Sequence, residues 1–136
     1  MTRATVRLLF GIAAVYDFAI GLVFLFAGKA LFDAVSIPHP NHWGYVQFGS
    51  LMLIVFGLMF FQVARDPDGN RNLMPFGILL KASYVGIVSY YWLTVGCPFL
   101  FKPFVVIDLA MLILFAIAYS QSKHLVSSSE SVATTA

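Results

Sequence analysis

Three ionisable residues lie within otherwise apolar stretches of this sequence: Asp17, Lys81 and Asp108. An ionised side chain at the centre of a bilayer costs at least about 2.5 kcal/mol, so such residues normally face the protein interior and find a partner there. Two carboxylates and one ammonium group are suited to a buried ion pair that fixes helix register, or to a site for protons or a polar substrate. The sequence leaves both interpretations open.

The positions of these residues along their apolar segments place them at overlapping depths. From the rise of about 1.5 Å per helical residue, Asp17 lies about 15 Å and Lys81 about 13 Å from the same membrane boundary. Asp108 lies about 9 Å from the opposite boundary of a hydrocarbon core about 30 Å thick. We therefore predict that Lys81 contacts Asp17, Asp108 or both. Tyr84 shares a helical face with Lys81 and adds a phenol to the predicted network.

The composition predicts that lipid surrounds the chain. Of its 136 residues, 60% are hydrophobic and only 10% are charged, whereas a soluble domain carries roughly a quarter charged residues. Polar groups are too few to coat a soluble fold of this length. The net charge of +2 is spread thinly, which argues against a nucleic-acid partner. The single cysteine, Cys97, excludes an internal disulfide.

Four apolar segments, at about residues 6–31, 45–64, 73–95 and 104–119, are each near the roughly 20 residues that cross a membrane. Proline- and glycine-containing turns separate them, and Asn72 is a predicted N-cap for the third. Short loops make consecutive helices antiparallel neighbours. The predicted fold is all-α, an integral membrane four-helix bundle with up-down-up-down topology over residues 1–124. Residues 125–136, rich in Ser, Thr and Ala, are predicted to be a disordered tail.

The distribution of basic residues predicts the orientation of this bundle. Five of them fall on one side, namely Arg3, Arg7, Arg65, Arg71 and Lys123, whereas Lys29 and Lys102 fall on the other. Because cytoplasmic loops carry the excess of Lys and Arg, both termini are predicted to be cytoplasmic. The expected location is a bacterial inner membrane.

Small residues at helical spacing predict the packing faces of the helices, since close backbone approach drives association in lipid. They are Ala14, Gly21 and Gly28 on the first helix; Gln47, Ser50, Ile54, Gly57, Phe61 and Ala64 mark the face on the second; and Ala82, Gly86 and Ser89 are on the third.

The turn between the second and third helices is polar. Asp66 precedes Pro67 and is therefore pushed out of helical geometry, so the second helix should end there. We predict that the Asp66 side chain pairs with Arg65 or Arg71, or accepts N–H groups at the start of the third helix. This turn would then anchor the topology of the chain.

Two further sets of residues are candidate binding groups. Tyr91 and Trp92 on the third helix are a possible ligand wall. His39 and His42 lie three residues apart, but Pro38 and Pro40 argue against the helix that would place both imidazoles on one face, so no metal site is expected.

Several short motifs between about residues 5 and 120 resemble one known family. They are Tyr16-Asp17 with Gly21-Leu22, Ala64-Arg65-Asp66-Pro67 with Asn70-Arg71-Asn72, Gly77-Ile78-Leu79-Leu80-Lys81, and Asp108-Leu109. Together they resemble a group of small bacterial four-helix membrane proteins described as DoxX-like. The resemblance implies a role as an accessory membrane subunit of redox complexes, one member being associated with thiosulfate:quinone oxidation. No cysteine pair or other redox centre is present here, so the resemblance does not imply that activity.

No catalytic motif is found: the sequence has no GxSxG, Walker A, GxGxxG or HExxH. We therefore expect a non-enzymatic membrane protein without a cofactor, acting as an accessory or scaffold subunit or as a homo-oligomer that associates through its helix faces. One alternative is a small proton-coupled transporter or permeation unit that uses Asp17, Lys81 and Asp108. Another is a quinone-binding, redox-linked subunit.

Overall fold

The computed structural model describes the backbone of residues 1–134 and the side chains of residues 1–122, and within them the chain is all-helical. The four α-helices are α1 (Arg3–Ala34), α2 (Gly44–Arg65), α3 (Met74–Thr94) and α4 (Lys102–Thr134). Short 3₁₀ turns, Arg71–Leu73 and Phe99–Phe101, precede α3 and α4. The predicted all-α fold is confirmed, and each predicted segment corresponds to one helix. The predicted disorder of the tail, residues 125–136, stays a prediction, because the side chains of these residues lie outside the described part of the chain.

All four helices are long and apolar enough to cross a membrane. Their outward faces are apolar as well: Phe26 is 82% exposed and Leu93 is 86% exposed. Large apolar side chains in such positions are unfavourable in water over a surface this extensive. The outside of the bundle therefore has the character that acyl chains require.

The ends of α1 and α2 follow from local chemistry. Thr2 precedes α1 in extended geometry, and its hydroxyl accepts a hydrogen bond from the Thr5 N–H at 3.2 Å, which satisfies one of the free donors of the first turn. At the end of α2, Asp66 adopts an extended conformation with φ −143°. This confirms that α2 stops where a residue precedes proline.

The predicted cap at Asn72 is wrong. Asn72 lies inside the 3₁₀ turn, and α3 begins at Met74 with Pro75 in its first turn and no side-chain cap. Proline has a fixed φ and lacks the N–H that a cap would satisfy, so it sets this start by itself. The asparagine with a capping role is Asn70, whose amide donates to the carbonyls of Gln62 and Asp66 at 3.2 and 3.0 Å.

Glycine ends α3. The N–H groups of Val95 and Gly96 both donate to the Tyr91 carbonyl, at 3.0 and 2.8 Å. Gly96 has φ +102°, a conformation that a residue with a Cβ rarely adopts. The chain thus reverses sharply before Pro98 and the 3₁₀ turn that leads into α4.

The bundle consists of two antiparallel hairpins, α1/α2 and α3/α4, with most close backbone contacts made inside each hairpin. Glycine permits the approach of α1 and α2. A Cβ on Gly21 would lie 2.7 Å from the Ser50 carbonyl oxygen, and one on Gly57 would lie 3.0 Å from the Ala14 carbonyl oxygen. The predicted packing residues Gly21 and Gly57 therefore do form a helix interface.

Large rings fill the wider space between the two hairpins. Phe10 of α1 stacks on Phe115 of α4 with ring centroids 4.3 Å apart, and Phe60 of α2 meets Phe115 edge-on at 5.2 Å. All three rings are fully buried. A Cβ on Gly77 of α3 would lie 2.5 Å from the Phe60 ring, so this glycine makes room for the cluster.

The predicted packing face of α3 is not used within the described part of the chain. Ala82 and Gly86 are exposed, and a Cβ on Gly86 would have nothing within 4 Å. The residues of α3 that are buried are Met74, Gly77 and Lys81. Helical spacing identified a stripe of small residues on α3 but could not tell whether a neighbouring helix covers it.

Replacement of Gly21 by Ala should destabilise the protein by about 1–3 kcal/mol, because the added methyl group meets the backbone of α2. Gly49→Ala on α2 is the matched control, since it adds the same methyl group where nothing lies within 4 Å. It should leave stability unchanged or raise it by up to about 1 kcal/mol through helix propensity. Unfolding in detergent, followed by circular dichroism, measures both. Equal stability of the two variants would contradict the glycine-dependent contact.

Candidate functional site

A buried ion triad joins three helices at the centre of the bundle. The ammonium group of Lys81 on α3 donates to Asp17 Oδ1 on α1 at 2.6 Å, and it lies 2.9 Å from Asp108 Oδ1 on α4. The side chains of Lys81 and Asp17 are 1% exposed and that of Asp108 is 9% exposed. Of the predicted arrangements, in which Lys81 contacts Asp17, Asp108 or both, the structure has the one with both contacts.

Aromatic rings complete the surroundings of the ammonium group. Lys81 Nζ lies 5.1 Å from the ring centroid of Tyr16 and 5.9 Å from that of Phe60, within the range of cation–π attraction. Tyr16 was not assigned to the network from the sequence. Its position next to Asp17 is the one sequence signal for it, and that signal is weak because adjacent helical residues point about 100° apart.

Three polar atoms in this centre are buried without a hydrogen-bond partner among the described residues: Tyr16 Oη, Asp17 Oδ2 and Asp108 Oδ1. Asp108 Oδ1 is nevertheless 2.9 Å from the Lys81 ammonium, so its charge is compensated, and Tyr16 Oη and Asp17 Oδ2 are the atoms without a polar contact of this kind. Two carboxylates also outnumber the single ammonium. The centre thus has the capacity to hold an additional proton or a small polar molecule such as water.

Tyr84 is turned toward backbone rather than toward the carboxylates. Its hydroxyl donates to the Phe101 carbonyl at 3.4 Å, so it tethers α3 to the 3₁₀ turn that precedes α4. No hydrogen bond to Asp17 or Asp108 is found for it among the described residues. Tyr84 is nevertheless within electrostatic range of Asp108 and of Tyr16, so both phenols lie near the triad.

The predicted ligand wall of Tyr91 and Trp92 lies on the outside of the bundle. The two side chains are 50% and 39% exposed. The Lys102 ammonium sits 5.0 Å from the Trp92 ring centroid, and Tyr91 meets Tyr90 edge-on. These contacts are separate from the triad.

The predicted pairing of Asp66 with Arg65 or Arg71 is wrong. Arg3 of α1 forms ion pairs with both acidic residues of the turn, and its Nη2 lies 2.7 Å from Asp68 Oδ2 and 3.4 Å from Asp66 Oδ1. The reason is topological: the antiparallel α1/α2 hairpin brings the start of α1 beside the end of α2. A Cβ on Gly69 would overlap the Asp66 carboxylate, so the glycine lets the turn fold around that side chain.

Arg71, in the turn before α3, forms hydrogen bonds with α4 at the same end of the bundle. Its Nε donates to Ser122 Oγ at 2.7 Å and its Nη2 to the Tyr119 carbonyl at 3.0 Å. The guanidinium carbon lies 4.1 Å from the Tyr119 ring centroid. The amino group of Met1 also donates to the side chain of Gln121. Arginine contacts at this end therefore link the α2–α3 turn to both terminal helices.

The two histidines of the α1–α2 loop have separate roles. His39 Nε2 lies 2.7 Å from Asp33 Oδ1, and its ring meets that of Trp43 edge-on. His42 accepts a hydrogen bond from the Gly44 N–H at 3.0 Å. Among the described residues there is no group of three or more histidine, cysteine or acidic side chains that could hold a metal ion.

Comparison with known proteins found no matching family model, no matching curated protein and no matching solved structure. The resemblance to DoxX-like proteins therefore stays a prediction. The geometry of the triad and of the outer surface is what supports a function.

Lys81→Met should destabilise the protein by about 3–5 kcal/mol, because it leaves two buried carboxylates without a cation. Lys29→Met is the control: it removes an exposed lysine whose ammonium lies 5.6 Å from the Trp43 ring, at a cost of about 1 kcal/mol or less. Unfolding by denaturing detergent gives both values.

The triple variant Asp17→Leu/Lys81→Met/Asp108→Leu should recover most of the loss, since apolar residues often replace a buried ion group at little cost. A Lys81→Met protein as stable as the Lys29→Met control would contradict a structural role for the triad.

Proposed function

We propose that this chain is a non-enzymatic integral membrane protein that serves as an accessory or scaffold subunit, with the amino-terminal end of the bundle in the cytoplasm. Insertion is supported by four helices long and apolar enough to span a membrane. The orientation is supported by Arg3, Arg7, Arg65 and Arg71, whose contacts gather at one end of the bundle. Lys29 and Lys102 belong to the other end, and the excess of basic residues marks the cytoplasmic side.

The observation that carries the scaffold proposal is the burial of the triad. Asp17 and Lys81 are 1% exposed, so a substrate has no open access to them in this conformation. The triad connects α1 of one hairpin with α3 and α4 of the other, and thereby fixes the register of the hairpins. A rigid bundle with apolar outer faces is suited to holding other membrane helices in place.

The exposed face of α3 is the surface that best fits such a partner. Ala82 and Gly86 lie four residues apart on it, the spacing that lets two membrane helices approach closely. Neither is covered within the described part of the chain. A partner helix, from a second copy or from another subunit, would pack here.

A second candidate function, a proton-coupled site, is favoured by the unsatisfied atoms around Lys81. Within the described residues, Tyr16 Oη, Asp17 Oδ2 and Asp108 Oδ1 are buried without hydrogen-bond partners. Intramembrane acids in such surroundings commonly serve as proton relays. Asp17, Lys81 and Asp108 would then exchange a proton during a conformational change that exposes them.

The orientation predicts which positions a membrane-impermeant thiol reagent reaches in intact cells. A Cys97→Ser background carrying His39→Cys should be labelled from outside, and native Cys97 should be labelled as well where it is accessible. Asp68→Cys in the same background should be labelled only after the membrane is opened. The reverse pattern would overturn the orientation.

The scaffold proposal predicts a partner that remains bound during purification in mild detergent, identified by native mass spectrometry. Gly86→Leu should weaken that association at least about tenfold, since the bulk blocks close helix approach. Gly49→Leu on α2, which also adds bulk where nothing lies within 4 Å, should leave it unchanged. A protein that purifies alone as a monomer would contradict the proposal.

The triple variant Asp17→Leu/Lys81→Met/Asp108→Leu, once shown to be folded, separates the two candidates. A scaffold keeps its partner without the triad. A proton-coupled site loses its proton flux, measured with a pH-sensitive dye in vesicles, although the protein remains folded.

A further inference from the structure

Two apolar grooves follow one another along the outer surface of α1. The α1 groove, at the amino-terminal end, has a volume of about 530 Å³ and extends from Arg7 past Leu8, Gly11 and Ile12 to Tyr16. The α1/α2 groove, further along the helix, has a volume of about 400 Å³ and is lined by Ala14, Phe18 and Leu22 of α1 with Gly57 and Phe61 of α2 among others. The two grooves meet at Val15, which lines both.

Two guanidinium groups lie at the amino-terminal end of these grooves. Arg7 lines the α1 groove and donates to the Arg65 carbonyl at 2.7 Å, which holds it across the gap between α1 and α2. The Arg65 guanidinium lies 6.0 Å from the ring centroid of Phe61, a residue of the α1/α2 groove. Both side chains are exposed.

Neither guanidinium has an acidic partner among the described residues. The ion pairs of that part of the chain use Arg3, His39 and Lys81, and Arg3 takes both Asp66 and Asp68. The Arg7 guanidinium has five N–H donors, and the hydrogen bond found for it goes to the Arg65 carbonyl. Arg7 and Arg65 are thus a pair of cations at the head of an apolar surface, able to bind an anion in a planar, bidentate manner.

The length of the α1 groove fits one leaflet of a bilayer. From the helical rise, Leu8 lies about 1.5 Å and Tyr16 about 13 Å from Arg7 along α1, and half of the hydrocarbon core is about 15 Å thick. The α1/α2 groove lies deeper, because Ala14 is about 10 Å and Leu22 about 22 Å from Arg7. An acyl chain whose headgroup lies at Arg7 would therefore extend along the α1 groove and reach the start of the α1/α2 groove.

We propose that this surface binds one anionic phospholipid, with its phosphate between Arg7 and Arg65 and its acyl chains along the α1 groove toward Val15. Charge complementarity selects the headgroup, and the apolar lining of the α1 groove receives the acyl chains. Gly11 forms the floor of the α1 groove: its nearest neighbour to an added Cβ is Ala64 Cβ at 4.0 Å, so the absence of a side chain there leaves space for an acyl chain. The proposal rests on membrane insertion and is independent of any protein partner.

Native mass spectrometry of the purified protein with dioleoyl phosphatidylglycerol or dioleoyl phosphatidylcholine tests this site. The two lipids have the same acyl chains and differ in headgroup charge. We expect one tightly retained phosphatidylglycerol per chain. Each arginine near the membrane surface contributes roughly a fivefold effect, so Arg7→Gln with Arg65→Gln should lower phosphatidylglycerol affinity about thirtyfold and change phosphatidylcholine binding little.

Matched variants separate charge from groove shape. Arg3→Gln removes a cation from the same end, but one already paired with Asp66 and Asp68, and should leave lipid retention unchanged. Gly11→Leu fills the α1 groove and should weaken retention at least about tenfold, whereas Gly49→Leu adds the same bulk at another apolar recess and should not.

Folding of each variant is checked by its circular dichroism and unfolding midpoint. If Arg3→Gln and the Arg7→Gln/Arg65→Gln variant lost the same amount of phosphatidylglycerol affinity, the effect would be one of general surface charge, and the site would be overturned. Retention of phosphatidylglycerol by a folded Arg7→Gln/Arg65→Gln protein, or a dimer that covers the grooves and excludes lipid, would also overturn it. A bound lipid and a bound partner protein differ in mass in the same native spectrum, so failure of the lipid site is distinguishable from failure of the scaffold proposal.

Discussion

Burial of the Lys81 ammonium group is the constraint on which the arrangement of the helices depends. A cation withdrawn from solvent inside an apolar bundle must have compensating charge within a few ångströms, and here two carboxylates provide it at 2.6 and 2.9 Å. Those carboxylates come from different helices, so α1, α3 and α4 must meet at one level. A slip of any of them by one turn, about 5.4 Å, would separate the charges.

Two kinds of helix contact hold this protein together: glycine contacts within the first hairpin, and aromatic rings with the ion triad between the hairpins. Inside the first hairpin, Gly21 and Gly57 let backbones touch, which gives dispersion contacts over a large area but little specificity of partner. Between the hairpins, the Phe10, Phe60 and Phe115 rings and the triad fill a wider gap. The ring cluster fills space, and the triad fixes position, because a displacement that separates its charges leaves a buried ion without a partner.

The features predicted correctly from the sequence are those that a long apolar chain makes unavoidable. The helices follow from apolar length, and the triad follows from three charges at matching depth with no other partner. The end of α2 at Asp66 follows from a single local rule.

In contrast, the partner of Asp66 depends on which long side chain reaches the turn. Arg3 reaches it only because α1 returns beside α2, which is tertiary information. The wrong predictions share that cause. Asn72 does not cap α3, because Pro75 sets the start of that helix. The small residues of α3 are periodic, but the periodicity of one helix does not show whether a neighbouring helix packs on that face.

The division of the triad between the hairpins has a consequence for biosynthesis. Lys81 and Asp108 belong to the same hairpin, so in the membrane that we propose α3 and α4 would insert as a neutral pair, which would lower the cost of transferring either charge. Asp17 has no cation at its level in the α1/α2 hairpin among the described residues. The first hairpin to be synthesised would therefore carry an uncompensated acid until the second hairpin joined it. Charge compensation would thus favour association of the two hairpins as the last step of assembly.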